Sequence, residues 1–473
     1  MRHLQGLADY PQANRMTREY TPREYQGMGI GHLLDVPRCA LHSGTGTGKT
    51  SMVLTAADIL LLSGESNKIL CLGPLRVARD VWTDEALKWE HTKHLRIAKV
   101  LGSEAQRKAA LRQNADIYVT NYEQLPWLVK YLGDDWPFDT VVADEATKLK
   151  GFRLRQGGQR TKALGRVAHK KVRRFIELSG TPAPNGVKDL WGQMWFLDGG
   201  KRLGRTFTAF EERWFQRGRD GFTLEPLPHA FGEVTALIDD ICLSIQAKDY
   251  FDLHEPIVNN IEVVLPPKAM AAYREMEKLM FLEIQQVGIE AFNAASRTIK
   301  CLQLANGAIY LDEKTETWAE LHNAKIEALE SIVEEASGLP VLVSYKFKSD
   351  RERLLKHFKG AVDLATPAGM AKFRTGTAPV GIGHPASIGH GIDGLQDVTN
   401  IIVFFGLDYN LEERQQIIER IGPTRQFQSG HDRPVFIHNL IAKGTLDELV
   451  LARVETKASV QQLLLDRLKG AKA

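Results

Sequence analysis

The residues best suited to chemistry are Ser43-Gly44-Thr45-Gly46-Thr47-Gly48-Lys49-Thr50. Their glycines free the backbone to curl its N–H groups around an anion, and a helix starting behind them adds a favourable dipole. Lys49 fits the β- and γ-phosphates of a nucleoside triphosphate, and the Thr50 hydroxyl fits a Mg²⁺ ion. The setting agrees with that use. The apolar run Pro37–Leu41 reads as a buried strand and Ser51–Ala57 as a helix, so the loop lies between a strand and a helix. Ser43 is the one departure, standing where the strict pattern has glycine.

A second constellation is Asp144-Glu145, delivered by the apolar strand-like run Phe138–Ala143. Ligands gather at the carboxyl end of such strands in a parallel sheet. Asp144 would hold Mg²⁺ and Glu145 would position or deprotonate an attacking water. Directly downstream, Lys148 to Arg174 is strongly basic and holds no Asp or Glu. The net charge of the chain is only +3, so nucleic-acid binding must come from a local field, and Lys148, Lys150, Arg153 and Arg155 open the segment that supplies one.

The elements that must carry these residues alternate. Strand-like runs at Lys68–Leu72, Asp116–Thr120 and Arg174–Leu178 are separated by helical patterns. A second series follows at Pro340–Tyr345, Pro379–Gly383, Asn400–Phe405 and Pro434–His438, with no second phosphate loop. The expected class is α/β, with two parallel sheets in tandem and ATP in a cleft between the halves. The 473 residues suit two or three domains. The division expected is 1–235, a linker and helical segment at 236–320, and 321–473. Four scattered cysteines without a C-x-x-C pair argue against a disulfide frame or zinc site and for a reducing compartment. The sequence shows no secretory signal and no run long enough to span a bilayer, so a cytoplasmic protein is expected.

Several of these stretches carry a family resemblance. Ser43 with Gly46-Thr47-Gly48-Lys49-Thr50 resembles the first motif of superfamily-two helicases, and Gln26 resembles their adenine-reading glutamine. Leu178-Ser179-Gly180-Thr181-Pro182, with Asn185 and the run Asp189–Leu197, looks like the third motif of the Swi/Snf-type DNA-dependent ATPases. Ser387–Asp393 resembles motif five and Gln415–Gln426 motif six. The resemblance runs from about residue 20 to 460.

It implies two RecA-like domains and an enzyme that hydrolyses ATP with Mg²⁺ on nucleic acid, double-stranded DNA above all, and translocates. It also implies that Ser179 and Thr181 couple the ATP state to DNA grip, that Gly391 and Asp393 lie at the cleft, and that Gln416 and an arginine finger serve catalysis. Gln416, Arg420 and Gln426 match the family spacing, but Pro423 occupies the second arginine's place, leaving Arg420 or Arg425 as the finger. The alternatives are a strand-separating DNA or RNA helicase and an ATP-gated clamp of slow turnover. Proteins of a replication or repair assembly are further expected partners. The lean chain is compatible with a phage or bacterial source, hence a bacterial host cytoplasm.

Overall fold

The computed structural model describes residues 17–44, 46–218, 224–286, 291–312, 317–389 and 393–468, the side chains of 280–286, 291–297 and 467 excepted. Strands in chain order are β1 (Arg38–Ser43), β2 (Ile69–Gly73), β3 (Ile97–Lys99), β4 (Ile117–Asn121), β5 (Thr140–Asp144), β6 (Arg174–Ser179), β7 (Phe215–Arg217), β8 (Leu224–Pro226) and β9 (Cys242–Ile245). They continue as β10 (Ile257–Val263), β11 (Ala308–Asp312), β12 (Thr317–Glu320), β13 (Val341–Ser344), β14 (Val362–Asp363), β15 (Val380–Gly383), β16 (Ile401–Phe404) and β17 (Phe436–Ala442).

The first sheet has the order β3-β4-β2-β5-β6-β1-β9. Its ladders from β3 to β6 are parallel. Strands β2 and β4 are buried along their whole length, as sheets covered on both faces require. β6 runs with β1: the Phe175 N–H donates to the Pro37 carbonyl at one end, and Gly180 lies against the Ser43 carbonyl at the other. The strand order therefore makes the carboxyl ends of β5, β6 and β1 neighbours.

The second sheet, β10-β17-β16-β13-β15-β14, is parallel throughout its described ladders. One core layer includes Leu342, Ile402, Phe404, Ile417 and Val450, and another includes Leu329, Val341, Val343, Val403 and Leu440. Two parallel α/β sheets are the fold class expected from the sequence. The stretch read as a link supplies the edge strand β10, which pairs with β17 over seven residues.

By compactness the chain divides into two units, and the divisions fall after Leu41, Thr47, Glu145, Arg153 and Leu178. The loops leaving β1, β5 and β6 thus group with the second unit. Within that unit Arg153 places its guanidinium 3.2 Å from the Phe207 ring centre and donates to the Lys150 and Phe152 carbonyls. Gly192, in the helix Leu190–Asp198, leaves no room beside this segment, since a Cβ there would stand 2.6 Å from the Leu149 carbonyl oxygen. Gly192→Ala is therefore expected to destabilise by about 1–3 kcal/mol, because the blocking atoms are backbone and cannot yield cheaply. Thermal unfolding checks it: an unchanged midpoint would mean the segment moves freely.

A buried polar network ties the end of the chain into the second unit. Lys325 is fully buried, 2.6 Å from Asp447 and 2.8 Å from the Asn306 side-chain oxygen. Asn306 in turn donates to Asp350, whose carboxyl burial pushes up to about 6. Asp447 lies at the start of the helix Leu446–Arg467, capped by Thr445. All four cysteines are buried and outside any disulfide, and burial pushes the Cys39 thiol up to about 12. Among the described residues no helix is long and apolar enough to cross a membrane.

Candidate active site

The phosphate loop is shaped by its glycines. Gly46 and Gly48 have φ of +85° and +89°, a region that L side chains avoid. A Cβ on Gly48 would also meet the Gln26 amide nitrogen at 2.5 Å. Ser43, the last residue of β1, donates to the Thr47 hydroxyl at 2.6 Å, and Thr47 donates to the Gly44 carbonyl at 2.8 Å. Ser43 thus pins the loop from within, which explains the departure from glycine. The helix Lys49–Leu62 begins at Lys49 and sets Thr50 in its first turn. Thr45 lies outside the described residues.

Asp144 is the final residue of β5 and Glu145 follows with φ of +56°, one of two described non-glycine residues with positive φ. Such strain persists where the surroundings impose it. It turns the chain so that two adjacent carboxylates leave one strand end. Burial pushes the Asp144 carboxyl up, and the Lys49 ammonium opposes that rise. The cation of the loop and the carboxylate of β5 therefore act on each other, the pairing a metal–triphosphate complex needs. The donor set of Asp144 carboxylate and Thr50 hydroxyl suits Mg²⁺, a hard cation that takes oxygen ligands. Tyr122 fixes the strand end by donating to the Asp144 carbonyl at 2.8 Å.

Gln26 occupies the third position of the helix Glu24–Asp35, and its side-chain oxygen accepts the Arg23 N–H at 3.0 Å. This cap aims the amide nitrogen at the phosphate loop. At the end of β6 the Ser179 hydroxyl accepts the Thr181 N–H at 3.1 Å. The Thr181 hydroxyl is buried with no hydrogen-bond partner among the described residues.

In the second unit Gln416 and Arg420 lie on the helix Leu411–Ile421, both buried. Arg420 donates through Nε, at 2.9 Å, and through Nη2 to the Gly389 carbonyl. Gln416 has neither amide atom bonded among the described residues. Pro423 is the first residue of a further helix, Pro423–Gln428, a position where proline's missing N–H costs nothing. One turn on, Arg425 pairs with Asp393. Burial raises the Asp393 carboxyl, but Arg425 and the Gly394 N–H bring it below the usual range. Gly391 lies outside the described residues. A cavity of about 570 Å³ within this unit is walled by Ser43, Gly44, Gly180, Gln415, Glu419 and Gln461.

The basic segment is partly neutralised. Arg160 pairs with Glu123 at 2.6 Å and Lys150 lies 3.7 Å from Glu412. Arg153 is turned inward onto aromatic rings. Lys148, Arg155, Arg166, Lys170 and Arg173 are exposed. Sequence reasoning missed Glu412, which has no local signal, and Tyr122, whose hydroxyl bond depends on strand order.

A phosphate loop beside a strand-end carboxylate pair in a parallel sheet defines a nucleoside-triphosphate hydrolase. The SNF2-related domain matches residues 24–309, and the chain belongs to that family, a family of ATP hydrolases. Protein p41 of Acyrthosiphon pisum secondary endosymbiont phage 1 is 52% identical over 459 residues, spanning 96% of this chain and 99% of p41. The human DNA excision repair protein ERCC-6-like is 26% identical over 212 residues, 42% of this chain but 16% of that protein. Among solved structures, the Pyrococcus furiosus Hef helicase domain superposes with a TM-score of 0.51 at 14% identity, covering 92% of this chain and 98% of that one. It shares the fold. The Sulfolobus solfataricus SWI2/SNF2 ATPase core in complex with dsDNA gives a TM-score of 0.44 at 21% identity, covering 98% and 100%.

Proposed function

We propose that the chain is a nucleic-acid-stimulated ATPase that couples hydrolysis to translocation along double-stranded DNA. The observation that carries this is the phosphate loop, with Gly48 at φ +89° before the helix that begins at Lys49, in a chain whose strand β5 ends in Asp144 with Glu145 turned off at φ +56°. The lysine binds phosphate, and Glu145 holds and deprotonates the attacking water. Thr50 and Asp144 would hold Mg²⁺, which supplies charge neutralisation of the phosphoryl oxygens when bound. Exposed Lys148 and Arg155 follow the carboxylate turn directly, where a phosphate backbone would meet them. The free Thr181 hydroxyl is the group that senses the nucleotide state, with Ser179 holding its backbone. Domain limits of 1–235, 236–320 and 321–473, partners in a replication or repair assembly and a host-cytoplasm location complete the reading.

The test is ATP hydrolysis with duplex DNA, single-stranded DNA, RNA or none, using Lys49→Ala as the blank. Strong stimulation by duplex, lost in the variant, is expected. Equal stimulation by RNA or single strands would favour a strand-separating helicase. Gln26→Ala is expected to raise KM for ATP about tenfold and to narrow its preference over GTP, since an amide that reads one base edge rejects another. An unchanged ATP-to-GTP ratio would leave Gln26 as a helix cap alone. A second reading, a slow ATP-gated clamp, is favoured by Pro423 and by the engagement of Arg420 with Gly389 and Arg425 with Asp393. Tight duplex binding without stimulated turnover would select it.

A further inference from the structure

The cavity of about 570 Å³ in the second unit has a use that ATP hydrolysis does not require, and all of its walls belong to that unit. Two helices face it. Leu446–Arg467 presents Ala458, Gln461, Gln462 and Leu465, whose spacing puts them in one stripe. Leu411–Ile421 presents Gln415, Ile418 and Glu419 in the same way. Gln416 and Arg420 lie on the next face of that helix and are not among the walls, nor are Lys49, Asp144 and Arg425. The cavity is therefore separate from the groups that would handle a triphosphate.

Its polar edge is unevenly satisfied. Gln462 Nε2 donates to Gln246 Oε1 at 2.8 Å and to Asp466 Oδ1 at 3.0 Å, and Gln246 Nε2 donates to the same aspartate oxygen at 3.1 Å. Those three side chains close on one another. Gln461 does not close in this way. Its Nε2 donates to Gln415 Oε1 at 2.8 Å, which commits the orientation of the amide. Its Oε1 is buried, in a residue only 2% exposed, and accepts nothing among the described residues. A buried amide oxygen without a donor is unfavourable, so one that lines a cavity marks where a donor belongs. A lone water would serve it poorly. Ile245, Leu253, Ile418 and Leu465 offer no further hydrogen bonds, and a buried water needs about three. Lys248 stands in the wall together with Glu255 and Glu419, so no surplus of cations invites a phosphate. The volume falls within the roughly 300–1,000 Å³ of small-molecule sites.

We propose that this cavity binds a flat, uncharged heteroaromatic compound of the nucleobase class, whose ring N–H or amino group donates to Gln461 Oε1. The apolar side chains cover its faces. The site goes beyond the ATPase reading and does not depend on it. Its occupant is an effector rather than a substrate, because the phosphate-handling residues lie elsewhere.

Adenine is titrated into the full chain by calorimetry, with a non-hydrolysable ATP analogue at saturation to occupy the phosphate loop. Caffeine, a flat purine derivative with no N–H, is the control. Adenine is expected to bind with Kd on the order of 0.1 mM, within reach of a ligand of its size, and caffeine about tenfold more weakly. Gln461→Met keeps the length of the side chain and removes the acceptor. It should weaken adenine about tenfold and leave caffeine within about twofold, the scale of one hydrogen bond. Ala458→Trp fills the cavity and should abolish binding of both. Melting temperatures show that the variants are folded, and should Ala458→Trp fail to fold, Gln461→Met decides the matter. No adenine binding at millimolar concentration, equal binding of caffeine, or undiminished adenine binding in Gln461→Met overturns the assignment. Displacement of adenine by the ATP analogue would place it at the phosphate loop and overturns it too. In each case the ATPase reading stands or falls by its own test.

Discussion

Glu145→Gln is expected to lower ATP turnover by about 10²–10⁴-fold while ATP still binds, the range that removal of a positioned general base produces. The substitution keeps shape and hydrogen-bonding length and removes only the basic oxygen. Glu145 stands at φ +56°, so the backbone spends conformational energy to aim this side chain. Asp144, its neighbour, feels the Lys49 ammonium, and in the reading proposed above it serves the metal and phosphate side of the reaction. The two carboxylates therefore divide the work, and losing Glu145 should leave nucleotide affinity within a few-fold. Single-turnover hydrolysis and equilibrium binding of a fluorescent ATP analogue measure the two quantities separately. Turnover within about threefold of wild type would assign the water to another group.

The second large effect concerns the arginines. Arg425→Ala is expected to lower kcat by about 10³-fold, the contribution of an arginine finger, with little change in folding stability. Arg420→Ala is expected to destabilise the protein by about 1.5–3 kcal/mol, the scale of a charged hydrogen-bond donor lost from a buried acceptor. The difference follows from what each guanidinium does. Arg420 is buried and engages the Gly389 carbonyl through two nitrogens. Arg425 is held by an ion pair with the Asp393 carboxylate, which it can leave for a phosphoryl oxygen at small cost. Thermal melts beside steady-state kinetics separate the two. A melting loss in Arg425→Ala and a pure kcat loss in Arg420→Ala would reverse the assignment.

The elements nearest the chemistry were the most legible ones. β1 and β5 carry unbroken apolar runs, Cys39–Leu41 and Val141–Ala143, that end in polar residues, and β6 is buried along its whole length although Glu177 interrupts it; each ends at a motif. β10 was not legible, because it is an edge strand with exposed Ile257 and Val258 and its pairing is set by β17, far along the chain. Arg153 reads as one cation of a basic run, yet its place is decided by Phe207 and Trp191, which no local pattern joins to it. Gln26 was found by its position ahead of the loop, but its use as a helix cap needed the helix start. Pro423 looked like a lost arginine. It also begins a helix that carries Arg425 onto Asp393, a turn that residue spacing alone does not encode.

The buried Lys325–Asp447 pair has a consequence for synthesis. Lys325 leaves the ribosome long before Asp447, and burying its ammonium without that carboxylate costs about 3–5 kcal/mol, even with the Asn306 oxygen beside it. While the chain is still growing, the helix Ala324–Glu335 therefore has reason to keep that face wet, and the second sheet stays open on this side. Completion waits for Leu446–Arg467, so the unit closes as one late event, and a nascent chain halted before Asp447 would present an unfinished core to chaperones and proteases.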